Sequence, residues 1–294
     1  MIKTSTFIPS YKEYFAKESL TGILDYPKND GFDAVEPVYS FGKSPAEALE
    51  NSKILGEAIE EKGLKCSCFS RGFWMLNMSK EEAVKGLCDC VDMAVNLKTP
   101  FLHHVLQMSL SVKDLQLYQK YHSYFVEICR EVAYYAGEKG ITCLYEDQGF
   151  LQNTPERLGQ LLTDINLPNI GICLDVGNSL FYDIDAETYA GILAPYIKHV
   201  HLKDYIRKPI EDIALGNKWH YSISGQALRD TILGHGIVNF ERIFSILILA
   251  GYDGYFSLEN DAAEETLPSV KQGLENMKLF YERAYNNLKR AGKI

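Results

Sequence analysis

Acidic and imidazole side chains close several short apolar segments of this 294-residue chain. Glu146 ends "ITCLYE" and Asp175 ends "GICLD", while His201 lies in "KHVHLK" and Glu259 ends "GYFSLE". Three carboxylates and one imidazole brought together would repel one another unless protons or a cation neutralise them. The set therefore predicts one bound divalent metal ion. Its oxygen-rich donors favour Mn²⁺, with Mg²⁺, Co²⁺, Fe²⁺ and Zn²⁺ left open.

The segment "YIKHVHLKDYIRKP" has the pattern of a β-strand that carries charged groups on one face. Alternate side chains of a strand point the same way, so His199, His201 and Lys203 project together. Val200 and Leu202 project to the other side. A polar face of this kind lies either in solvent or in a site. His199, one layer deeper than His201, is expected to support its neighbour by hydrogen bonding.

Eight β-strand patterns alternate with amphipathic helical patterns along the chain. Ser44 followed by Glu47, and Ser79 followed by Glu82, are two capping-box patterns that mark helix starts. The alternation predicts a single (β/α)8 TIM barrel of the α/β class over residues 1–294, with its site at the carboxyl ends of the strands. An open doubly wound sheet is the alternative, but no Gly-x-Gly-x-x-Gly motif follows the first strand. The predicted strands are 3–8, 32–38, 64–70, 100–106, 141–147, 170–176, 197–204 and 254–260.

Composition limits the partners and the location of the protein. The net charge is −9 and no block of Lys and Arg appears, which disfavours nucleic acid. The longest apolar stretch, "IFSILILAGY", is much shorter than the ~20 residues of a membrane span, so no membrane is expected. The amino terminus lacks the apolar core of a secretory signal, which predicts a cytoplasmic protein. Seven cysteines without a CxxC pair are predicted to be reduced thiols.

Six motifs lie at or near the predicted strands: "FDAVEP", "LYEDQG", "ICLDVGN", "HVHLKD", "LGHGIVNF" and "GYFSLEN". With these motifs, most of the chain resembles the xylose-isomerase-like barrels of sugar phosphate isomerases and epimerases. That family includes ketose 3-epimerases such as tagatose epimerase, hydroxypyruvate isomerase and inosose dehydratase. The resemblance implies that Glu146, Asp175, His201 and Glu259 are the metal ligands. It also implies that Glu146 and Glu259 are the catalytic acid and base.

Three substrate contacts are predicted beside the metal. Lys203 lies on the polar face of its strand, and Arg207 lies where these enzymes have an arginine on the substrate or beside a glutamate. Both are expected to hold hydroxyl or phosphate oxygens of the substrate. Asn178 stands where the epimerases often carry a histidine, and it is the third predicted contact.

Two further residues and one long segment complete the predicted site. His103 and His104 differ in parity, so only one of them can face the barrel mouth, and His104 is the predicted substrate contact. Trp74, in "RGFWML", is expected to form a wall of the substrate site. The connection at about 205–236 is longer than an ordinary βα loop, which predicts a lid or a subunit contact over the mouth.

These residues predict a divalent-metal-dependent sugar isomerase or epimerase that removes a proton next to a carbonyl, through a metal-stabilised enediolate. Either Glu146 or Glu259 would remove the proton, and the other would return it. A sugar or inosose dehydratase, a lyase that expels a β-hydroxyl, is the alternative. An endonuclease of the same barrel superfamily is a weaker one, because the histidines are few and scattered. The expected partner is a small sugar or polyol, and a homo-oligomer is left open.

Overall fold

Twelve strands lie within residues 1–107, 115–212 and 218–294, which this computed structural model describes. Nine of them form one parallel sheet in the order β3-β2-β1-β12-β8-β7-β6-β5-β4. The strands are β1 (Lys3–Phe7), β2 (Ala34–Glu36), β3 (Lys65–Cys66), β4 (Phe69–Arg71), β5 (Phe101–His104), β6 (Thr142–Glu146), β7 (Ile170–Asp175), β8 (Ile197–Leu202), β9 (Asp204–Lys208), β10 (His220–Tyr221), β11 (Ala227–Thr231) and β12 (Tyr255–Leu258).

The sheet curls into a nearly closed barrel, because its two end strands are consecutive in the chain. β3 pairs with β2, and β4 pairs with β5. Both belong to the single strand predicted at 64–70, which Ser67 and Cys68 interrupt. A further parallel bridge joins Val38 to Ser70. The predicted α/β TIM barrel is therefore confirmed, with its third strand in two pieces.

Helices cover the outside of the barrel in the described residues. Apolar side chains of the strands and helices form one continuous core between the two layers. Within the described residues, no helix combines the length and the apolar character needed to cross a membrane. All seven cysteines are free thiols. The helices are α1 (Lys12–Lys17), α2 (Asp25–Asp30), α3 (Pro45–Glu61), α4 (Lys80–Asn96), α5 (Leu115–Glu138), α6 (Pro155–Ile165), α7 (Ala186–Leu193), α8 (Phe240–Leu249) and α9 (Thr266–Arg290).

The two predicted capping boxes differ in the structure. At α4, the Ser79 side chain accepts the backbone N–H of Glu82, and the Glu82 side chain accepts that of Ser79, which completes the box. At α3, Ser44 accepts the backbone N–H of Glu47, but the Glu47 side chain accepts the N–H of Lys43 instead. Helix α3 therefore has an N-cap without the reciprocal bond, because the Glu47 side chain accepts from Lys43 and not from Ser44.

The segment at about 205–236 forms a small antiparallel sheet where a long loop was predicted. β11 pairs with both β9 and β10. These strands are short, mix charged with apolar residues and pair across about twenty intervening positions, so their pattern along the chain is weak. Residues 213–217 of this segment lie outside the described residues.

The carboxylate of Asp204, the first residue of β9, joins this small sheet to the chain that leads into α8. Its Oδ2 accepts the backbone N–H groups of Gly234 and Gly236, at 2.9 and 2.8 Å. Its Oδ1 accepts those of Tyr205 and Val238, at 2.9 and 3.1 Å. A Cβ atom on Gly236 would collide with this carboxylate, so the close approach requires glycine. Asp204 thus satisfies four backbone donors from a buried position.

Asp204→Asn should lower the free energy of unfolding by about 3 kcal/mol, because each buried donor left without an acceptor costs about 1–3 kcal/mol. The amide NH₂ would face N–H groups that now meet a carboxylate oxygen. Urea denaturation measures the change. Asp253→Asn is the control, since that side chain is 96% exposed, and it should change stability by less than about 0.5 kcal/mol. Equal losses in the two variants would contradict the proposed role of Asp204.

Candidate metal centre and active site

Four of the predicted side chains converge at the carboxyl end of the barrel. Glu146 and Asp175 are the last residues of β6 and β7, His201 lies in β8, and Glu259 follows β12 directly. One ligand atom of each lies within 4.8 Å of the corresponding atoms of the others. We call this group, Glu146, Asp175, His201 and Glu259, the quartet. Three members are buried, and the Glu259 side chain is 13% exposed.

Sheet order and register bring the quartet together. The strands β12, β8, β7 and β6 are successive neighbours in the barrel. Asp175 pairs with His201 in the β7–β8 register, and Ser257 pairs with His201 in the β12–β8 register. Glu259 lies two residues beyond Ser257 and therefore projects to the same side as that residue.

The quartet has the donor set that a divalent cation requires. Oε2 of Glu146 and Oδ2 of Asp175 are buried and have no hydrogen-bond partner among the described residues. Nδ1 of His201 lies 3.3 Å from Oε1 of Glu146 and 3.4 Å from Oε2 of Glu259. Carboxylate oxygens with one imidazole nitrogen suit a hard or borderline divalent ion. The residues therefore fit the predicted metal.

Burial and nearby charges shift the pKa values of the carboxyl groups in the quartet. Burial raises the pKa of Asp175, against the opposing charge of Lys203. Burial also raises the pKa of Glu259, to about 8. Burial acts in the same direction on Glu146, but the His103 and His201 imidazoles outweigh it, so the pKa of Glu146 lies below its ordinary value. A bound cation would favour the ionised form of all three carboxyls.

Lys203 supplies a positive charge beside the quartet. Its Nζ lies 2.6 Å from Oε1 of Glu259, 3.5 Å from Oδ2 of Asp175 and 3.6 Å from Oδ2 of Asp261. Burial lowers the pKa of the Lys203 ammonium, but Glu259 and the other nearby acidic groups raise it well above its ordinary value. Lys203 is therefore a fixed cation at neutral pH, and it offers N–H donors rather than a base.

A buried carboxylate of β2 orients His201. Oε1 of Glu36 lies 2.8 Å from Nε2 of His201, and its Oε2 lies 2.8 Å from Nε2 of His199. When Nε2 of His201 donates to Glu36, its Nδ1 keeps a lone pair directed at the quartet. His199 does not hydrogen-bond to His201 directly, and both imidazoles instead contact the carboxylate of Glu36. The charges of His201 and His199 outweigh burial and hold the pKa of Glu36 well below its usual range.

His103 extends this buried network to Glu146. Ser70 donates its hydroxyl to Oε1 of Glu36, and its Oγ lies 2.8 Å from Nδ1 of His103. Nε2 of His103 lies 3.3 Å from Oε2 of Glu146. Sequence reasoning assigned no role to Glu36, Ser70 or His103. The sequence nevertheless contained a signal that could have identified them, because all three lie near the carboxyl ends of predicted strands.

Two cavities that share lining residues lie at the mouth of the barrel. The cavity that we call the inner lobe has a volume of about 430 Å³, and its walls include Glu146, His201 and Glu259. The second, which we call the outer lobe, has a volume of about 610 Å³ and is lined by residues of β11 and of the segment after β7. Both lobes are lined by Trp74, Gln148, Lys203 and Asp261.

Three of the predicted substrate contacts line these lobes. Trp74, which is 46% exposed, and the buried Lys203 line both of them. Asn178 lines the outer lobe, and its Nδ2 has no hydrogen-bond partner among the described residues. Lys218 and Asp230, from the small sheet and its flank, also line the outer lobe, so the described part of the 205–236 segment borders the barrel mouth.

Two predicted contacts lie elsewhere. Arg207 is exposed on β9 and is absent from the described walls of both lobes, because the chain after Asp204 continues as a strand instead of looping over the mouth. His104 packs edge-on against Tyr145, with 5.1 Å between ring centroids, and also lines neither lobe. Neighbouring residues of a strand point to opposite faces, so His103 takes the inner-lobe position instead.

Comparisons with known proteins agree with this architecture. Residues 24–280 match the family described as xylose isomerase-like TIM barrel. Inosose dehydratase 1 of Bacillus cereus is 27% identical over 150 residues, which are 51% of this chain and 50% of that protein. The chain thus spans about half the length of the curated relatives it matches.

Solved structures resemble nearly the whole chain. An L-ribulose 3-epimerase has a TM-score of 0.79 at 17% identity, over 99% of this chain and 98% of that chain. A xylose isomerase-like TIM barrel protein from Mycobacterium smegmatis in complex with magnesium has a TM-score of 0.69 at 15% identity, over 90% of both chains. At such identities the likeness shows the fold.

Proposed function

The chain belongs to the xylose isomerase-like TIM barrel family, and from this premise we propose that it is a divalent-metal-dependent sugar isomerase or epimerase. The resemblance drawn from the six sequence motifs is thereby confirmed at the level of the family. We propose Mn²⁺ as the ion, held by the quartet, and a small sugar or polyol as the substrate. The reaction begins with removal of a proton from a carbon next to a carbonyl.

The placement of the two glutamates carries this proposal. Glu146 and Glu259 come from the ends of β6 and β12, which flank β7 and β8 in the barrel. A ligand above Asp175 and His201 is therefore approached by a carboxylate from two sides. Isomerases and epimerases need one group that takes a proton and another that returns it.

Each side chain of the site has a task in this proposal. A bound divalent ion would act as a Lewis acid that stabilises negative charge on substrate oxygens. Glu146, whose carboxylate lines the inner lobe, takes the proton. Glu259 returns it from the other side. Lys203 and Asn178 donate to substrate hydroxyls, and Trp74 covers the sugar ring.

A dehydratase is the second candidate, because the curated relatives described above include an inosose dehydratase. The same first step, proton removal by Glu146, would then be followed by loss of a β-hydroxyl instead of return of the proton. Glu259 would protonate the departing hydroxyl as a general acid. The two candidates therefore differ in the fate of the substrate and share the catalytic pair.

Exchange of carbon-bound protons with D₂O tests the proposal. The protein with added Mn²⁺ is incubated with a panel of ketoses and inososes, and NMR follows the signals next to the carbonyl. We expect deuterium at such a carbon in at least one compound, with an epimer or isomer as product. Loss of water with formation of a conjugated or diketone product would identify the dehydratase. No exchange in any member of the panel would contradict both candidates.

A further inference from the structure

The outer lobe provides space that the reacting sugar does not need. The inner lobe, at about 430 Å³, already contains Glu146, His201 and Glu259. Pockets for complete small molecules have volumes of about 300–1,000 Å³. The outer lobe adds about 610 Å³ and is lined by none of the quartet among its described residues. A group bound there would lie outside the reacting centre but next to it, on the far side of Lys203.

Aromatic rings form much of the outer-lobe wall. Phe181 and Tyr205 are buried and meet edge to face, with 5.6 Å between ring centroids. Trp74 presents an exposed indole at the junction of the two lobes. His220 lies 6.0 Å from Phe181, centroid to centroid. Rigid flat surfaces of this kind suit the apolar face of a ring.

Polar groups between these rings suit hydroxyls. Oε1 of Gln148 and Nδ2 of Asn178 have no hydrogen-bond partner among the described residues. The Gln148 oxygen is an acceptor, and the Asn178 nitrogen is a donor. Asp230, whose side chain is 11% exposed, adds acceptors to the same lining, and its Oδ2 lies 3.7 Å from Nε2 of His220. A hydroxyl both donates and accepts, so it can satisfy a wall of mixed donors and acceptors.

The charges of the outer lobe do not suit a phosphate. Lys203 is already paired with Glu259 at 2.6 Å. Among the other described lining residues, Lys218 is opposed by the two carboxylates of Asp230 and Asp261. Phosphate sites instead concentrate Arg, Lys or backbone N–H donors without nearby carboxylates. The described lining therefore carries no surplus positive charge.

We propose that the outer lobe binds a second, uncharged sugar ring joined to the reacting sugar, so that the substrate is a non-phosphorylated saccharide of at least two rings. The ring lies between Trp74 and Phe181, and Gln148, Asn178 and Asp230 bind its hydroxyls. This inference rests on the proposed isomerase or epimerase function and specifies its substrate class.

Three probes that share one ketose test the inference. They are D-fructose, isomaltulose, which carries a glucose ring on O6 of fructose, and D-fructose 6-phosphate, which carries a phosphate on the same oxygen. Calorimetry with the Mn²⁺-loaded full chain measures each Kd. We expect isomaltulose to bind about tenfold more tightly than D-fructose, a difference worth about 1.4 kcal/mol. We expect D-fructose 6-phosphate to bind no more tightly than D-fructose.

Asp230→Ala should reduce the ratio of the D-fructose Kd to the isomaltulose Kd from about ten to below about three, because it removes a charged acceptor, and hydrogen bonds to charged groups are the stronger ones. Asp253→Asn, a change at an exposed carboxylate that is absent from the described walls of both lobes, should leave that ratio unchanged. Thermal unfolding and Mn²⁺ titration establish that both variants are folded and bind metal.

The outcomes separate this inference from the proposed function. Tighter binding of D-fructose 6-phosphate than of isomaltulose, or equal affinities for isomaltulose and D-fructose, would overturn the inference. If such a result accompanied deuterium exchange into monosaccharides, the isomerase or epimerase proposal would stand and only the two-ring substrate would fail. Absence of both binding and exchange with every sugar would overturn both proposals.

Discussion

Glu146→Gln and Glu259→Gln should each slow exchange of the substrate proton with D₂O by about 10²–10⁴-fold, the usual contribution of general acid–base catalysis. A glutamine keeps the size of the side chain and one oxygen that can contact a metal. It cannot accept the proton, however. Glu146 is buried beside His103, Glu259 lies at the mouth beside Lys203, and both line the inner lobe, so both are placed to meet a ligand there.

Two variants provide controls for the glutamates. His199→Gln should slow exchange less, by about 10–100-fold, because His199 acts on His201 through Glu36 and does not touch the ligand. Its effect should fall mainly on the affinity for Mn²⁺. Glu57→Gln makes the same chemical change on the exposed face of α3 and should leave the rate unchanged.

The measurement requires equal Mn²⁺ occupancy in all variants, since Glu146 and Glu259 are also proposed ligands. Occupancy can be determined by metal analysis of the protein after gel filtration. Exchange at the wild-type rate in either glutamine variant, with the metal bound, would show that another group removes the proton. If the exchange rate falls only in proportion to the Mn²⁺ occupancy, the two glutamates act as metal ligands and not as the catalytic acid and base.

Mn²⁺ should stabilise the wild-type protein by about 2.7 kcal/mol when its free concentration is one hundred times the Kd, and excess chelator should remove the effect. The reason is that a cation relieves the repulsion among Glu146, Asp175 and Glu259, which burial makes costly. Thermal unfolding at fixed Mn²⁺ concentrations measures the shift, and the metal-free protein gives the reference.

Asp175→Ala should abolish most of this Mn²⁺-dependent shift, because it removes one of the four ligands. The substitution can also change the stability of the metal-free protein. The test therefore compares, for each variant, the stability with Mn²⁺ and the stability without it. His104→Gln is the matched control. That imidazole lies in the same barrel but packs against Tyr145, so the variant should keep the full shift.

Within residues 1–107, 115–212 and 218–294, two other groups of possible ligands could hold the ion instead of the quartet. His103, Cys173 and His201 form one, and Glu36, Cys68 and His199 form the other. Anomalous scattering from a crystal grown with Mn²⁺ would locate the ion. An ion at either of these groups, or an undiminished Mn²⁺ shift in Asp175→Ala, would contradict the quartet as the metal site.

The sequence by itself determined the barrel and the candidate ligands. Strand and helix patterns have different periods, so alternating segments of each type are visible without knowledge of the fold. In a parallel barrel every strand ends at the same face, so Glu146, Asp175 and Glu259 could be grouped from their positions at strand ends alone. Alternation along β8 likewise placed His199, His201 and Lys203 on one face.

The supporting residues could be named only from the tertiary structure. Glu36 lies 165 positions from His201 in the chain, and their hydrogen bond depends on how β2 and β8 face each other across the barrel. The sequence favoured His104 over His103 for the inner-lobe position, and the structure places His103 there for a related reason. Parity shows that the two differ, but the register of β5 against β4 and β6 decides which one enters the lobe.

The shape of the mouth was also decided by the tertiary structure. β9 and β11 pair through contacts between distant short segments, which turned the expected loop at 205–236 into a sheet and left Arg207 exposed. The outer lobe exists only because Trp74, Phe181 and Asp230, from three separate parts of the chain, line one cavity. The spacing of apolar residues along a helix or strand indicates which of its faces is buried. The volume between elements depends on how they pack, which no local pattern contains.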